Sequence, residues 1–274
     1  MRSCSFIRRA ERSGFFRAGN FLASIVSDGV WWLHGTRGCN VYLVRARDGS
    51  YAIVDTGFAD NVAPVMAEVA EIIGAEPIKT ILLTHFHFDH SGAAQSLSEQ
   101  LGAEVRAGLE DCEESGGQFE LRKHRFRRPR MRGGDIGTSN PIATRPLVDG
   151  EEVLPGIIAM ATPGHTTGSY CFIVEDAGVA LVGDLVISHS DGLSRTLVAA
   201  NSDDGTYLES IRTFAGLAPH VGCPGHGRPV MDGFGEQLRR LSEKPRQRLK
   251  PWQVPRRMKR LFDFYRFVNH RRKR

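Results

Sequence analysis

The chain has 274 residues, enough to bury one large hydrophobic core, and its 41% hydrophobic and 24% charged residues are ordinary for a globular protein. No apolar run approaches the length that a membrane-spanning helix needs, which excludes an integral membrane protein of that kind. The five cysteines are odd in number and widely scattered, and no secretory signal is recognised. Together these features favour a cytoplasmic location over an oxidising compartment.

The net charge of +5 is unevenly distributed along the chain. Residues 236–274 carry 15 Lys and Arg against 3 Asp and Glu, whereas the remainder is mildly acidic. We predict a basic arm at residues 1–20, one folded domain at residues 21–235 and a basic amphipathic extension at residues 236–274. A helix predicted at residues 258–268 suits peripheral contact with an anionic membrane or a nucleic acid, or it packs on the domain with solvated arginines.

The first elements are predicted to be short strands at residues 30–33, 40–44 and 51–54, with an Asp-Gly hairpin turn before the last of them. Asp55 follows the third strand. By itself such an aspartate indicates a loop cap, and its functional alternative is a carboxylate that orients a nearby ligand. A helix follows at residues 61–74, where apolar residues recur at helical spacing.

The next predicted strand, residues 79–83, runs directly into a cluster of histidines. Alternate side chains of an extended segment share a face, so His85 and His87 can point at one metal ion. Asp89 and His90 lie where the chain turns into a helix, and they can hold a second ion. A solitary histidine is usually a surface or core residue, but four such groups within six residues predict a metal site. Imidazole and carboxylate suit zinc, iron or manganese better than calcium.

A helix at residues 91–101 and a strand at residues 103–107 complete a β-α-β-α-β alternation, which indicates helices packed outside a sheet. Residues 108–146 then break this pattern and are predicted to form a charged insertion. Four acidic residues at 110–114 are followed by an arginine-rich run at residues 122–132. The insertion is either a solvated loop or a lid whose arginines bind an anionic substrate, and the sequence favours neither.

Three further polar residues follow predicted strands in the second half of the chain. His165 follows the strand at residues 156–161, Asp184 follows the last of two strands at residues 170–182, and His226 follows the strand at residues 221–223. A helix is predicted at residues 203–217. Each residue alone is a weak signal, but loops at strand ends converge along one edge of a sheet, where ligands bind.

These motifs resemble those of the metallo-β-lactamase fold superfamily. They occur in the family order and cover about residues 25–230: Asp55-Thr56-Gly57, Thr84-His85-Phe86-His87-Phe88-Asp89-His90, Pro163-Gly164-His165-Thr166, Gly183-Asp184 and Gly225-His226-Gly227. The resemblance implies an α/β (α+β) fold, a four-layer αββα sandwich. The catalytic domain would then be the folded domain predicted at residues 21–235, with the basic C-terminal helical extension following it. The resemblance also implies two divalent metal ions at one edge of the sheets.

The resemblance further implies a role for each matching residue. One ion would be bound by His85, His87 and His165, and the other by Asp89, His90 and His226. Asp184 would bridge them, Asp55 would support the ligands, and Asp89 would orient the nucleophile and pass a proton to the leaving group. Zinc is the favoured metal, with iron and manganese as alternatives.

The implied function is hydrolysis of a small-molecule ester, thioester or lactone by metal-activated water, and the substrate is anionic if the arginine-rich lid binds it. The loop at residues 163–169 is most similar to the glyoxalase II and lactonase branch. A classical β-lactamase role is disfavoured because no secretion signal is recognised. Two alternatives stay open: a nuclease or phosphodiesterase of the same superfamily, and a mononuclear iron oxidoreductase similar to persulfide dioxygenases.

Overall fold

The computed structural model describes residues 23–122 and 142–246. Three predicted features lie outside these residues: the basic arm at residues 1–20, the arginine-rich run from residue 123 onward, and the helix at residues 258–268. In the described part of the chain, no helix is both long and apolar enough to cross a membrane.

The larger sheet contains the strands of the first half of the chain, and its strands line up in the order β1-β2-β3-β4-β5-β6-β9-β8-β7. The neighbours from β4 to β9 in the centre pair in parallel, which fits the crossover helices between β4, β5 and β6. The strands are β1 (Ser24–Ser27), β2 (Val30–Leu33), β3 (Val41–Arg45), β4 (Tyr51–Val54), β5 (Ile78–Leu82), β6 (Glu104–Gly108), β7 (Cys112–Ser115), β8 (Gln118–Leu121) and β9 (Ala143–Leu147).

The smaller sheet has the order β10-β11-β12-β13-β16, and β13 pairs with β16 in parallel. A separate two-stranded hairpin, β14 and β15, lies between β13 and β16 in the chain. The strands are β10 (Glu152–Leu154), β11 (Ile157–Ala161), β12 (Tyr170–Val174), β13 (Val179–Gly183), β14 (Ile187–His189), β15 (Gly192–Ser194) and β16 (Val221–Pro224).

The helices begin and end at recognisable residues. The first ends at Gly74, whose φ of 65° terminates it, and the fourth begins after Asp203, whose side chain accepts a hydrogen bond from the backbone of Thr206 at 2.7 Å. They are α1 (Val62–Ile73), α2 (Phe88–Ser91), α3 (Ala94–Leu101), α4 (Asp204–Ala215) and α5 (Phe234–Glu243), with 3₁₀ turns at Ala59–Asn61, Leu109–Asp111 and Val198–Ala200.

Three apolar clusters separate four layers, which confirms the predicted αββα sandwich. On β3, Val41 and Leu43 pack against α1 and α3, whereas Tyr42 and Val44 face the second sheet. This alternation is what a strand between two buried faces requires. A third cluster packs the outer face of the smaller sheet against α4 and α5.

Two predicted elements are corrected by the structure. The insertion at residues 108–146 is not wholly irregular, because β7, β8 and β9 lie within it and extend the larger sheet. The helix predicted at residues 91–101 begins later, at Ala94, and a separate short helix, α2, precedes it. At Gly92, between the two helices, a Cβ atom would lie 2.8 Å from backbone atoms of both Gly57 and Ala59, so a glycine is required at this close approach.

The predicted boundary at residue 235 falls inside α5. Leu238 and Leu241 of this helix are buried in the cluster that α5 shares with α4 and the smaller sheet. The first residues of the basic extension are therefore packed on the folded body, although no apolar periodicity had been assigned to them.

Candidate metal centre

Each predicted ligand residue follows the end of a strand at one edge of the two sheets. His85 comes three residues after β5, Asp184 directly after β13 and His226 two residues after β16. Their strands are parallel to at least one neighbour, and parallel strands present their carboxyl ends, and the loops that follow them, at a common edge. The contacts below show that these loops meet.

The first group consists of His85, His87 and His165. Each of the three rings offers one nitrogen that could bind a metal ion, and these three nitrogens lie within 4.8 Å of one another. Nε2 of His165 is 3.1 Å from Nδ1 of His87, and the rings of His85 and His165 are almost fully buried. The structure thus brings together the three residues that the resemblance implied for one ion.

The second group consists of Asp89, His90 and His226, whose potential ligand atoms also lie within 4.8 Å of one another. Nε2 of His226 is 3.5 Å from Oδ2 of Asp89 and 3.4 Å from Nε2 of His90. His90 is fully buried, whereas about a quarter (24%) of the Asp89 side chain is exposed. Asp89 is therefore the member of this group that faces outward.

Asp184 lies between the two groups. Its Oδ1 atom is 3.3 Å from Nε2 of both His90 and His226, and its Oδ2 atom is 3.4 Å from Nε2 of His165. It also forms a compact group with His85 and His90, one residue from each set. The two oxygens of one carboxylate therefore face histidines of different groups.

The donor atoms fit divalent metal ions. Nε2 of His85 and Oδ1 of Asp184 are buried, and neither makes a hydrogen bond to any residue in the described part of the chain. Buried polar atoms without a partner are rare because each costs about 1–3 kcal/mol of desolvation free energy. The cluster offers five imidazoles and two carboxylates, which are the ligand types that suit zinc, iron or manganese.

The electrostatics divide the histidines of the cluster. Although burial opposes it, the pKa of His90 is raised by Cys39 and Asp55, and that of His226 by Asp184, so a metal ion would have to displace protons there. Burial holds the pKa of His85 well below its ordinary value, aided by the nearby His90. Burial likewise lowers the pKa of His165. Burial opposes ionisation of Asp184, but His226 and His90 nevertheless hold its pKa well below the usual range. Neutral imidazoles and an ionised carboxylate are the forms that bind metals.

Asp55 supports the second group through His90. Its carboxylate accepts hydrogen bonds from Nδ1 of His90 and from the backbone nitrogen of Thr84, both at 2.8 Å. Since Nδ1 of His90 is occupied in this way, its Nε2 atom is left to face His226 and Asp184. Asp55 adopts a φ of 57°, which is uncommon for a residue other than glycine and is typical of functional sites.

Gly225 permits the close approach of the two sheets at this edge. A Cβ atom at this position would lie 2.5 Å from Cε1 of His90 and 2.9 Å from Oδ1 of Asp184. Real Cβ atoms do not approach other atoms so closely, so any side chain here would displace the cluster. The packing of the cluster thus requires a glycine before His226.

Asp111 joins the two loops that carry the first group, and the sequence did not indicate it. Its carboxylate accepts hydrogen bonds from the backbone of Phe86 (3.1 Å), the hydroxyl of Thr166 (2.7 Å) and the backbone of Gly168 (2.9 Å). Burial raises the pKa of Asp111 to about 6, although these hydrogen bonds by themselves would lower it. In the sequence Asp111 stands in an acidic run with Glu110, Glu113 and Glu114, which predicts a charged loop rather than a buried carboxylate.

We expect Asp111→Ala to lower the free energy of unfolding of the metal-free protein by about 2 kcal/mol, because it leaves buried donors of two loops without an acceptor. Metal affinity should fall about 10- to 100-fold, as for other residues that orient ligands. Urea denaturation and competition with a chelator measure the two effects. The exposed neighbour provides the control, Glu110→Ala. If both variants behave alike, Asp111 does not hold the loops.

The αββα sandwich, with a buried cluster of histidines and aspartates at one edge, defines the chain as a metal-binding enzyme. Residues 34–226, more than half of its length, match the model of the metallo-beta-lactamase superfamily. The chain therefore belongs to the metallo-beta-lactamase superfamily, as its motifs predicted, and it is a hydrolase.

Curated relatives agree with this assignment. The chain is 27% identical over 217 residues to the probable metallo-hydrolase YflN of Bacillus subtilis, an alignment that covers 70% of this chain and 81% of the relative. It is 28% identical over 204 residues to the lactamase-like protein nscB of Neosartorya fischeri, an alignment that covers 72% of this chain and 50% of the relative. The chain thus spans about half the length of nscB.

Solved structures share the fold. A metallo-beta-lactamase family protein of Thermus thermophilus, TTHA1429, superposes with a TM-score of 0.57 and 26% identity over 80% of this chain and 79% of that one. TTHA1623, described in a di-iron-bound form, superposes with a TM-score of 0.53 and 22% identity over 73% of this chain and 93% of that one. ST1585, an archaeal metallo-beta-lactamase superfamily protein of Sulfolobus tokodaii, superposes with a TM-score of 0.59 and 17% identity over 88% of this chain and 98% of that one.

Proposed function

We propose that this protein is a hydrolase with two divalent metal ions and that its substrate is a small-molecule ester, thioester or lactone. The observation that carries the two-metal proposal is the position of Asp184, whose oxygens face His165 on one side and His90 and His226 on the other. A bridging carboxylate is needed only where two ions share a site. One ion would be held by His85, His87 and His165, the other by Asp89, His90 and His226.

The bound ions would supply Lewis acidity and make water nucleophilic near neutral pH. The chain's own residues would orient the ligands, hold the loops together and carry the proton. Asp55 holds the ring of His90 through its Nδ1 atom, and Asp111 holds the two loops of the first group together. Asp89, the partly exposed carboxylate, would orient the attacking water and carry its proton to the leaving group.

Zinc is the metal that we propose, because imidazole-rich sites with carboxylates suit it and need no redox chemistry. Iron is the principal alternative, and the fold neighbour described in a di-iron-bound form supports its inclusion. The count of ions also separates the main proposal from a mononuclear iron oxidoreductase, because such an enzyme needs only one of the two groups.

The proposed substrate class rests on the loop at residues 163–169, which resembles that of the glyoxalase II and lactonase branch. The curated relative named as a probable metallo-hydrolase supports hydrolysis but indicates no substrate. A nuclease or phosphodiesterase role would draw on the basic residues of the predicted insertion and extension, most of which lie outside the described residues. A direct comparison of substrate classes therefore decides between these functions.

We expect purified protein to bind about two zinc ions per chain and to hydrolyse at least one ester, thioester or lactone. Elemental analysis measures the metal, and a panel that also contains phosphodiesters measures the activity. Treatment with a chelator should abolish turnover, and added zinc should restore it. Protein that binds no transition metal, or a metal-loaded enzyme that cleaves only phosphodiesters, would contradict the proposal.

A further inference from the structure

A chain of hydrogen bonds joins His165 to the beginning of the basic C-terminal extension. Nδ1 of His165 lies 3.1 Å from Oδ1 of Asn201, and Nδ2 of Asn201 donates to Oδ1 of Asp204 at 2.7 Å. The same oxygen of Asp204 accepts a hydrogen bond from Nη2 of Arg246 at 2.6 Å. Arg246 lies within the predicted extension at residues 236–274, so the extension reaches a residue of the metal centre.

The orientation of the Asn201 side chain follows from its partners. The Asp204 carboxylate has no proton to give, so the NH₂ group of Asn201 must face it. The amide oxygen then faces the hydroxyl of Thr196, which donates to it at 2.7 Å, and the ring of His165. An amide oxygen only accepts, so Nδ1 of His165 must carry the ring proton.

This tautomer is the one that the proposed metal site requires. With its proton on Nδ1, His165 presents the lone pair of Nε2 toward His87 at 3.1 Å and Asp184 at 3.4 Å. His165 is 4% exposed, so water cannot replace Asn201 as its partner without rearrangement of the loop. Backbone hydrogen bonds from Ser202 and Asp203 to the loop of His165 hold the two segments in register.

Arg246 is held in place by more than its ion pair. Its guanidinium group also donates to the carbonyl of Thr196 at 3.0 Å and lies 5.8 Å from the centre of the Tyr207 ring. The residue before Thr196 is Arg195, which donates to the carbonyls of Leu241 and Lys244 at the end of α5. The start of the extension is therefore bound at two successive residues of the segment that carries Thr196.

We propose that Asn201 fixes the tautomer and orientation of His165, and that Arg246 holds Asn201 in this role through Asp204. The basic extension thus contributes a positioning residue to the metal centre. The effect on metal affinity rests on the proposed function, because it requires His165 to bind an ion. The tautomer itself does not, because it can be measured in the metal-free protein.

The first test compares Asn201→Leu with the exchanged pair Asn201→Asp/Asp204→Asn. Ring ¹⁵N chemical shifts of His165 at pH 8 should show a proton on Nδ1 in the wild type and in the exchanged pair, where the carboxylate at 201 accepts from the ring and from the amide at 204. Asn201→Leu should shift the ring toward the other tautomer and weaken zinc binding about 10- to 100-fold in competition with a chelator. The exchanged pair should bind zinc more tightly than Asn201→Leu, a rescue that a merely space-filling role would not give.

The second test compares Arg246→Ala with Arg239→Ala in the full-length chain. Arg239 pairs with Glu236 and Glu243 on the exposed face of α5 and does not belong to the hydrogen-bond chain. Arg246→Ala should weaken zinc binding several-fold and broaden the His165 ring resonances, whereas Arg239→Ala should change neither.

A wild-type His165 protonated at Nε2, or an Asn201→Leu variant with an unchanged tautomer, would overturn the role of Asn201. Arg246→Ala and Arg239→Ala variants that bind zinc equally would overturn the role of the extension. Failure of the proposed function looks different: the wild type would bind no zinc, while the ring shifts of His165 would still show whether Asn201 sets its tautomer.

Discussion

Asp184→Asn is expected to lower kcat/KM by about 10³-fold or more and to reduce the metal content from about two ions per chain to about one. The substitution replaces one carboxylate oxygen by an NH₂ group in a place where both oxygens face histidine Nε2 atoms at 3.3–3.4 Å. It also removes the negative charge that a shared ligand supplies. Lewis-acid stabilisation by a metal is worth several kcal/mol, and each 1.36 kcal/mol is a factor of ten in rate.

The measurement combines elemental analysis of dialysed protein with steady-state kinetics on the substrate found in the panel. Asp232→Asn is a matched control, because Asp232 also lies near a histidine, His220 at 3.6 Å, but on the exposed surface. It should keep full activity and metal content. An Asp184→Asn variant with two tightly bound ions and near wild-type turnover would show that this carboxylate does not bridge the ions.

Much of the site could be predicted because its main residues occupy short motifs at strand ends. His85 and His87 alternate within one loop directly after an apolar strand, which makes their common orientation predictable. Asp184 and His226 were weaker signals individually, and only the recurrence of polar residues after strands linked them. The structure brings all of these residues together, which spacing along the chain could suggest but could not demonstrate.

Asp111 and Asn201 could not be found in the same way. Asp111 is bound to residues 25, 55 and 57 positions away in the chain, so its role exists only once the two loops meet. In sequence it belongs to an acidic run that is typical of an exposed loop. Asn201 lies 36 positions from His165 and follows no strand. Asp111 contacts two loops and Asn201 contacts three side chains, and neither residue belongs to a motif that would reveal these partners.

Some elements of the fold could likewise be predicted from the sequence, whereas others could not. Alternating strands and the apolar stripe of α1 were predictable from residues 30–83, because burial on defined faces imposes a period on the sequence. The strands β7 and β8 were not, since their exposed edge position leaves them rich in charged residues such as Glu113 and Glu120. The packing of α5 was also not predicted, because its four Arg and Glu residues dominate the sequence and leave only Leu238 and Leu241 as a short apolar pattern.

Asp89→Asn is expected to lower kcat by about 10²- to 10⁴-fold, the usual contribution of a general acid or base, while metal content falls much less. The amide oxygen of asparagine can still act as a donor to a metal ion, but it cannot carry a proton. Asp89 is suited to proton transfer because its side chain is 24% exposed, whereas that of Asp184 is 10% exposed. Its backbone is fixed by a hydrogen bond from Cys39 at 3.1 Å, so the substitution should not move the loop.

The leaving group of the substrate gives the sharpest test of this role. If Asp89 delivers a proton to the departing oxygen or sulfur, Asp89→Asn should slow an alkyl ester far more than a nitrophenyl ester, whose leaving group needs no proton. Asp28→Asn, a substitution of a 94% exposed aspartate that pairs with Arg45, should slow neither. Equal losses for both esters, matched by an equal loss of metal, would mean that Asp89 acts only as a ligand. A loss confined to the poor leaving group at unchanged metal content would identify the atom to which Asp89 passes its proton, because loss of a Lewis-acid metal would also slow a basic leaving group.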